Sequence, residues 1–100
     1  MSDLSKFRAA LAGVGVTPVT PFRADLSRPD LEALKKNLTF LVDQGARLLY
    51  VAGNTGEVAS LSPDEWTSVV ETAVAAVGDR AIVAAGIGHE YPVALELAQR

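Results

Sequence analysis

The stretch Ala52-Gly53-Asn54-Thr55-Gly56-Glu57-Val58-Ala59-Ser60-Leu61 lies between a short apolar run and a strong helix start. The run at residues 48–52 is typical of a buried strand. Ser62-Pro63-Asp64-Glu65 favours a helix N-terminus, with a capping serine, a proline at the first helical position and a glutamate that completes a capping box. Two glycines flank a polar pair, so the backbone can turn sharply and approach a bound group. In parallel α/β proteins, ligands bind at this end of a strand. The stretch therefore predicts a binding loop, although a tight turn without a ligand is the simpler interpretation.

Strand-like and helix-like segments alternate along the whole chain. Apolar β-branched runs predict strands, and apolar residues at helical spacing between capping signals predict helices. The order βαβαβα implies a parallel sheet with right-handed crossovers. The predicted strands cover residues 14–17, 47–52 and 81–85. Three predicted helices cover residues 2–11, 27–44 and 62–77, and a fourth runs from about residue 91 to residue 100.

Two of the predicted helices carry a continuous apolar stripe that we expect to face the sheet. A glycine follows each stripe. Gly45 is expected to end the first helix in a left-handed conformation, and Gly78 is expected to close the second. The stripes consist of Leu31, Leu34, Leu38, Leu41 and Val42 in the first helix, and Trp66, Val69, Val70, Ala73, Val74 and Val77 in the second.

Two architectures share this alternation, a doubly wound sheet and a (β/α)8 barrel. A barrel typically needs about 250 residues, and three strands are about three-eighths of it. The chain reaches Arg100 inside a predicted helix that has no stop signal. We therefore expect residues 1–100 to be the N-terminal part of one longer barrel domain, with no internal boundary.

Composition excludes several classes of function. The chain is 49% hydrophobic and 21% charged with a net charge of −3, which is globular and offers no basic patch for nucleic acid or anionic membrane. No apolar run approaches the roughly 18 residues of a membrane span. With no cysteine and a single histidine, His89, no zinc-type cluster is expected. The default expectation is a cytoplasmic protein that acts on a small molecule.

Three motifs at the predicted strand ends resemble one known family. They are Thr17-Pro18-Val19-Thr20-Pro21-Phe22, then Gly53-Asn54-Thr55-Gly56-Glu57 with Leu61-Ser62-Pro63-Asp64-Glu65 behind it, and Ala84-Ala85-Gly86-Ile87-Gly88. Together, over residues 13–100, they resemble the pyruvate-type class I aldolases of the dihydrodipicolinate synthase / N-acetylneuraminate lyase family.

The resemblance implies a (β/α)8 TIM barrel, usually a homotetramer, without metal or dissociable cofactor. Members of the family act on pyruvate and related 2-keto acids as synthases or lyases, or dehydrate sugar acids. They form a Schiff base between the keto carbon and a barrel lysine, and the protonated imine then accepts electrons from the adjacent carbanion. The central loop holds the substrate carboxylate, which suits a threonine hydroxyl and backbone N–H groups at a helix N-terminus.

By the resemblance, Thr55 matches the threonine that binds the substrate carboxylate. Asn54 stands where dihydrodipicolinate synthases place a second threonine in a proton relay with tyrosines. An amide cannot pass on its own proton as a hydroxyl does, so Asn54 leaves open an activity like that of 5-dehydro-4-deoxyglucarate dehydratase. Gly53 and Gly56 are expected to serve through their backbone.

The other prominent side chains are interpreted as structural. Glu57 is expected to form an ion pair or to accept N–H bonds near a helix start, and His89 is expected to lie on a loop surface or at a subunit contact. Tyr50 is expected in the core or between barrel and helices, and Trp66 in the core or at an interface. Two different classes of function remain open besides the enzyme: a non-catalytic keto-acid-binding barrel, and a phosphate-binding doubly wound domain, which is disfavoured because no phosphate-loop motif is present.

None of the lysines, Lys6, Lys35 and Lys36, falls at a predicted strand end. In the family, the Schiff-base lysine and the relay tyrosines come from later strands. We therefore expect residues 1–100 to carry the carboxylate-binding loop without the nucleophile, and to have no aldolase activity alone.

Overall fold

The computed structural model describes residues 3–100, so the predicted start of the first helix at Ser2 lies outside the described residues. Helices and strands alternate as predicted, apart from the first strand. The elements are α1 (Asp3–Leu11), α2 (Leu31–Asp43), β1 (Leu48–Val51), a short 3-10 helix (Val58–Ser60), α3 (Pro63–Val77), β2 (Ile82–Ala85) and α4 (Tyr91–Gln99).

β1 and β2 pair in parallel, with Leu48 opposite Ile82. The predicted first strand is reduced to one parallel rung in which Val16 N–H donates to Leu48 O (2.9 Å) and Val16 O accepts from Tyr50 N–H (2.8 Å). The next rung of a parallel ladder would need an N–H from Pro18, which has none. The expectation of a strand over residues 14–17 was therefore wrong in length, although its place beside β1 is confirmed.

α2 begins at Leu31, four residues later than the start predicted at Ser27, which is itself a good N-cap residue. Its N-cap is Asp30, whose carboxylate accepts a hydrogen bond from Ala33 N–H (3.0 Å). The preceding segment folds back on itself, because Asp30 N–H donates to Pro21 O (2.8 Å). Pro29 also disfavours a helical conformation at the residue before it. Ser27 instead donates its hydroxyl to Asp25 (2.7 Å).

α2 and α3 pack together on one face of the strands and form the core with them. Gly45 and Gly78 follow α2 and α3 as predicted, and their φ angles are positive, 105° and 61°. Val74 is the exception to the predicted stripes, since it is half exposed. The core cluster consists of Leu34, Leu38, Val42, Leu49, Val51, Ala52, Val58, Leu61, Trp66, Val69, Ala73, Val77 and Leu97.

Tyr50 lies on the opposite face of the strands, because side chains alternate along β1 and Leu49 and Val51 face the helices. Its ring covers Gly15, where any side chain would collide with it. Tyr50 is 38% exposed on this face, so the expected position between barrel and helices was wrong. In a closed barrel this face is the interior.

Across residues 3–100, no helix is both long enough and apolar enough to cross a bilayer.

Candidate functional site

Three loops meet at the carboxyl ends of the parallel strands. The loop after β2 packs against the loop after β1, because a Cβ on Gly86 would collide with the carbonyl group of Ala52 and lie 3.0 Å from Gly53 Cα. The loop after Val16 joins them, since a Cβ on Gly56 would lie 3.1 Å from Thr20 Oγ1. The three motifs therefore occupy one edge of the sheet, where α/β proteins bind ligands.

The loop after β1 is a tight turn with exposed polar side chains. Gly53 O accepts from Val58 N–H (3.1 Å), and Asn54 O accepts from Glu57 N–H (3.0 Å). Asn54 and Thr55 are both exposed. Among the described residues, the backbone N–H groups of Asn54, Thr55 and Gly56 have no acceptor. Three successive free donors beside a hydroxyl and an amide suit an anionic oxygen.

The sharp bends of this turn lie beside the glycines, not at them. Ala52 and Glu57 have left-handed φ angles of 51° and 58°, whereas Gly53 and Gly56 do not have positive φ. Left-handed non-glycine residues cost about 1–3 kcal/mol each and are concentrated at functional sites. The expectation that the two glycines make the bend was wrong. Gly56 is required for close approach, because a Cβ there would lie 3.0 Å from the Ala52 nitrogen.

The free N–H groups are not at the N-terminus of a long helix. The 3-10 helix (Val58–Ser60) separates the turn from α3, and α3 is capped by its own residues. Ser62 Oγ accepts from Glu65 N–H (3.2 Å), and the Glu65 carboxylate accepts from Ser62 N–H (2.9 Å). This capping box was predicted and is confirmed. Any anion bound at this turn would therefore be attracted by the turn's own donors, without the dipole of α3.

Trp66 connects α3 to the strand ends. Its indole N–H donates to Gly86 O (2.7 Å), while Gly86 N–H donates to Val51 O (2.9 Å). The buried position of Trp66 was predicted from the apolar stripe, but its hydrogen bond was not. A buried tryptophan generally needs a partner for its N–H, and this need was the signal available in the sequence.

The remaining candidates lie apart from any hydrogen-bonded cluster. Glu57 is exposed and makes no side-chain capping bond, so the expectation that its carboxylate accepts N–H groups was wrong. His89 is partly buried beside α4, and its backbone N–H donates to Ile87 O (2.7 Å). The three lysines are exposed on α1 and α2, away from the carboxyl ends of the strands.

A cavity among the described residues lies away from these loops. It measures about 550 Å³ and lies between α1 and the C-terminal end of α2, with Arg47 and Gln44 among largely apolar neighbours. Arg47 precedes β1, so the cavity is at the amino ends of the strands. Within residues 3–100, no three acidic, histidine or cysteine side chains are grouped closely enough to hold a metal ion.

Known proteins resemble this chain in both sequence and structure. A probable 5-dehydro-4-deoxyglucarate dehydratase of Bacillus subtilis (strain 168) is 38% identical over 96 residues, which are 96% of this chain and 31% of that protein. The crystal structure of dihydrodipicolinate synthase from Bacillus clausii superposes with a TM-score of 0.85 at 34% identity, over 93% of this chain and 31% of the other.

A third relative was crystallised with a ligand. The chloride-inhibited dihydrodipicolinate synthase from Acinetobacter baumannii, complexed with pyruvate, has a TM-score of 0.80 at 31% identity, over 87% of this chain and 30% of the other. The chain thus spans about a third of the length of the relatives it matches.

The sequence profile of the Dihydrodipicolinate synthetase family matches residues 10–100, nearly the whole chain. Its βα units are the N-terminal units of the (β/α)8 barrel of that family, which decides between the two architectures. The chain belongs to the Dihydrodipicolinate synthetase family of TIM-barrel lyases.

Proposed function

We propose that these 100 residues are the N-terminal part of a longer (β/α)8 domain, hereafter the full-length protein, that acts on pyruvate or a related 2-keto acid through a Schiff base. The observation that carries the proposal is the turn at residues 53–56, with three free N–H groups and two exposed polar side chains at the carboxyl ends of the strands. The pyruvate-bound relative supports the choice of a small keto acid.

In this proposal, the turn binds the substrate carboxylate. Thr55 donates its hydroxyl, and the free N–H groups of the turn donate beside it. Asn54 can donate its amide N–H to a second substrate oxygen, while Gly53 and Gly56 allow the backbone to approach. A charge-assisted hydrogen bond contributes more than a neutral one, so a few such donors suffice to orient a small carboxylate.

The nucleophile comes from elsewhere in the full-length protein. The lysines of this chain are exposed on α1 and α2 and cannot face the turn. A lysine amine from a later strand adds to the keto carbon and releases water, and the protonated imine stabilises the neighbouring carbanion. We expect a cytoplasmic homotetramer that needs neither metal nor dissociable cofactor.

A specific residue favours a second candidate. Asn54 offers no hydroxyl for a proton relay, and the dehydratase of Bacillus subtilis resembles this chain over nearly its whole length. We therefore propose dehydration of 5-dehydro-4-deoxyglucarate as the alternative to condensation of pyruvate with an aldehyde. A non-catalytic keto-acid-binding barrel is the third possibility.

Borohydride reduction followed by mass spectrometry tests the proposal. Borohydride delivers a hydride to the imine and leaves a stable secondary amine. We expect a pyruvate adduct on one lysine of the full-length protein and none on residues 1–100 alone. Parallel assays of dehydration and of aldehyde condensation then separate the two enzymes. Pyruvate binding without an adduct would indicate the non-catalytic barrel, and an adduct on Lys6, Lys35 or Lys36 would contradict the proposal.

A further inference from the structure

Thr20 is the one buried polar residue among the described residues, and it is only 4% exposed. It lies in the loop that follows the Val16 rung, so it belongs to the same edge of the sheet as the turn after β1. The motif that contains it contributed to the family resemblance, but neither the resemblance nor the proposed function gives Thr20 a role.

The Thr20 hydroxyl has no hydrogen-bond partner among residues 3–100. Every fully enclosed polar side-chain atom in this part of the chain has a partner, so Thr20 Oγ1 must reach the surface. The hydroxyl makes no hydrogen bond within this part of the fold, and valine would fill the same space. Packing alone therefore does not require the hydroxyl, which is open to solvent or to a ligand.

The position of this hydroxyl indicates which group it meets. A Cβ on Gly56 would lie 3.1 Å from Thr20 Oγ1 and 3.1 Å from Ala52 Cα, so the hydroxyl lies against the turn at the residue after Thr55. The N–H groups of Thr55 and Gly56 are free at the same place. A small anion bound by those groups would therefore lie close to the Thr20 hydroxyl.

We propose that Thr20 is a binding residue whose hydroxyl donates a hydrogen bond to the carboxylate of the keto acid, beside Thr55. This inference rests on the proposed function. It makes a specific prediction about Thr20→Val: removing the hydroxyl weakens carboxylate binding but does not destabilise the fold, because an unpaired polar group is replaced by an apolar one of the same shape.

The experiment uses the full-length protein and its Thr20→Val and Thr20→Ser variants. The first readout is the pyruvate concentration that gives half-maximal borohydride trapping, and the second is the midpoint of thermal unfolding. Acetone, a ketone without a carboxylate, is the matched ligand. We expect Thr20→Val to raise the half-saturating pyruvate concentration about tenfold or more, because a hydrogen bond to a charged group is lost. Trapping of acetone and the unfolding midpoint should not fall, and Thr20→Ser should behave like the parent protein.

Three results would overturn the inference. If Thr20→Val traps pyruvate as readily as the parent protein, the hydroxyl does not contact the substrate. If the variant loses stability and traps both ketones equally poorly, Thr20 is structural. If the parent protein itself forms no pyruvate adduct, the proposed function fails and the role of Thr20 fails with it.

Discussion

Replacing Gly86 with alanine should separate the two loops that meet at the strand ends. An added Cβ would collide with the carbonyl group of Ala52 and lie 3.0 Å from Gly53 Cα. These are backbone atoms at the end of a buried strand, so they cannot move aside as a flexible side chain can. Relief of the collision must displace either the turn or the loop after β2.

The magnitude follows from the contacts at Gly86. Overpacking a well-packed site costs about 1–3 kcal/mol. Displacing Gly86 also strains the bonds that it shares with Val51 and Trp66, each worth about 1 kcal/mol. We expect Gly86→Ala to destabilise the chain by about 3 kcal/mol, which lowers the unfolding midpoint of a chain of this length by about 12–24 °C.

Trp66 provides a local assay because it is the only tryptophan in the chain and bonds directly to Gly86. Its fluorescence should shift in the folded variant, and urea unfolding should begin at lower concentration. Gly13→Ala is the matched control, because a Cβ there would meet only Ala10 O at an ordinary 3.6 Å. If Gly86→Ala unfolds within about 0.5 kcal/mol of the control, the range of an ordinary surface substitution, the packing of the two loops is not as described.

Three further substitutions test individual features. Glu57→Gly should stabilise the chain by about 0.5–1 kcal/mol in urea unfolding. The substitution removes a left-handed conformational cost of about 1–2 kcal/mol, and the entropy cost of glycine in the unfolded chain offsets part of that gain. Glu57→Ala should give no such gain. Ser62→Ala should lower the free energy of unfolding by about 0.5–2 kcal/mol, because the cap of α3 is lost. Ser68→Ala, on the exposed side of the same helix, should leave stability unchanged or raise it. Equal effects of the two substitutions would contradict the capping box. The hydrogen bonds from the Ser27 hydroxyl and N–H lower the pKa of Asp25 below its ordinary value of 3.8. The stability conferred by these hydrogen bonds is therefore fully present above pH 3.8 and is lost as the pH falls through the lowered pKa. Ser27→Ala should raise the Asp25 pKa in an NMR titration, and an unchanged pKa would refute this cause.

Most of the element order could be predicted from the sequence, because long apolar stripes and strong caps act locally. The capping box at Ser62 and Glu65 and the glycines that follow α2 and α3 were all found where their spacing placed them. The start of α2 was missed because Ser27 and Asp30 are both good caps. The fold-back of Asp30 onto Pro21, a contact across nine residues, decides between them.

The position of the candidate turn could be predicted from the sequence, but its conformation could not. The motif after β1 gave the residues of the turn, and the strand order brought the three loops together. The left-handed residues Ala52 and Glu57 could not be found from propensity, since alanine and glutamate disfavour that conformation. Thr20 was also missed, because burial of one hydroxyl in a proline-rich loop depends on tertiary packing with Gly56.

The central claim is that the turn at residues 53–56 binds the carboxylate of a 2-keto acid. A crystal structure of the full-length protein, soaked with pyruvate and reduced with borohydride, tests it most directly. We expect the adduct's carboxylate within about 3 Å of Thr55 Oγ1 and of at least one free N–H group of the turn, which is hydrogen-bond distance. A carboxylate bound by other residues, with Thr55 facing away from it, would contradict the claim.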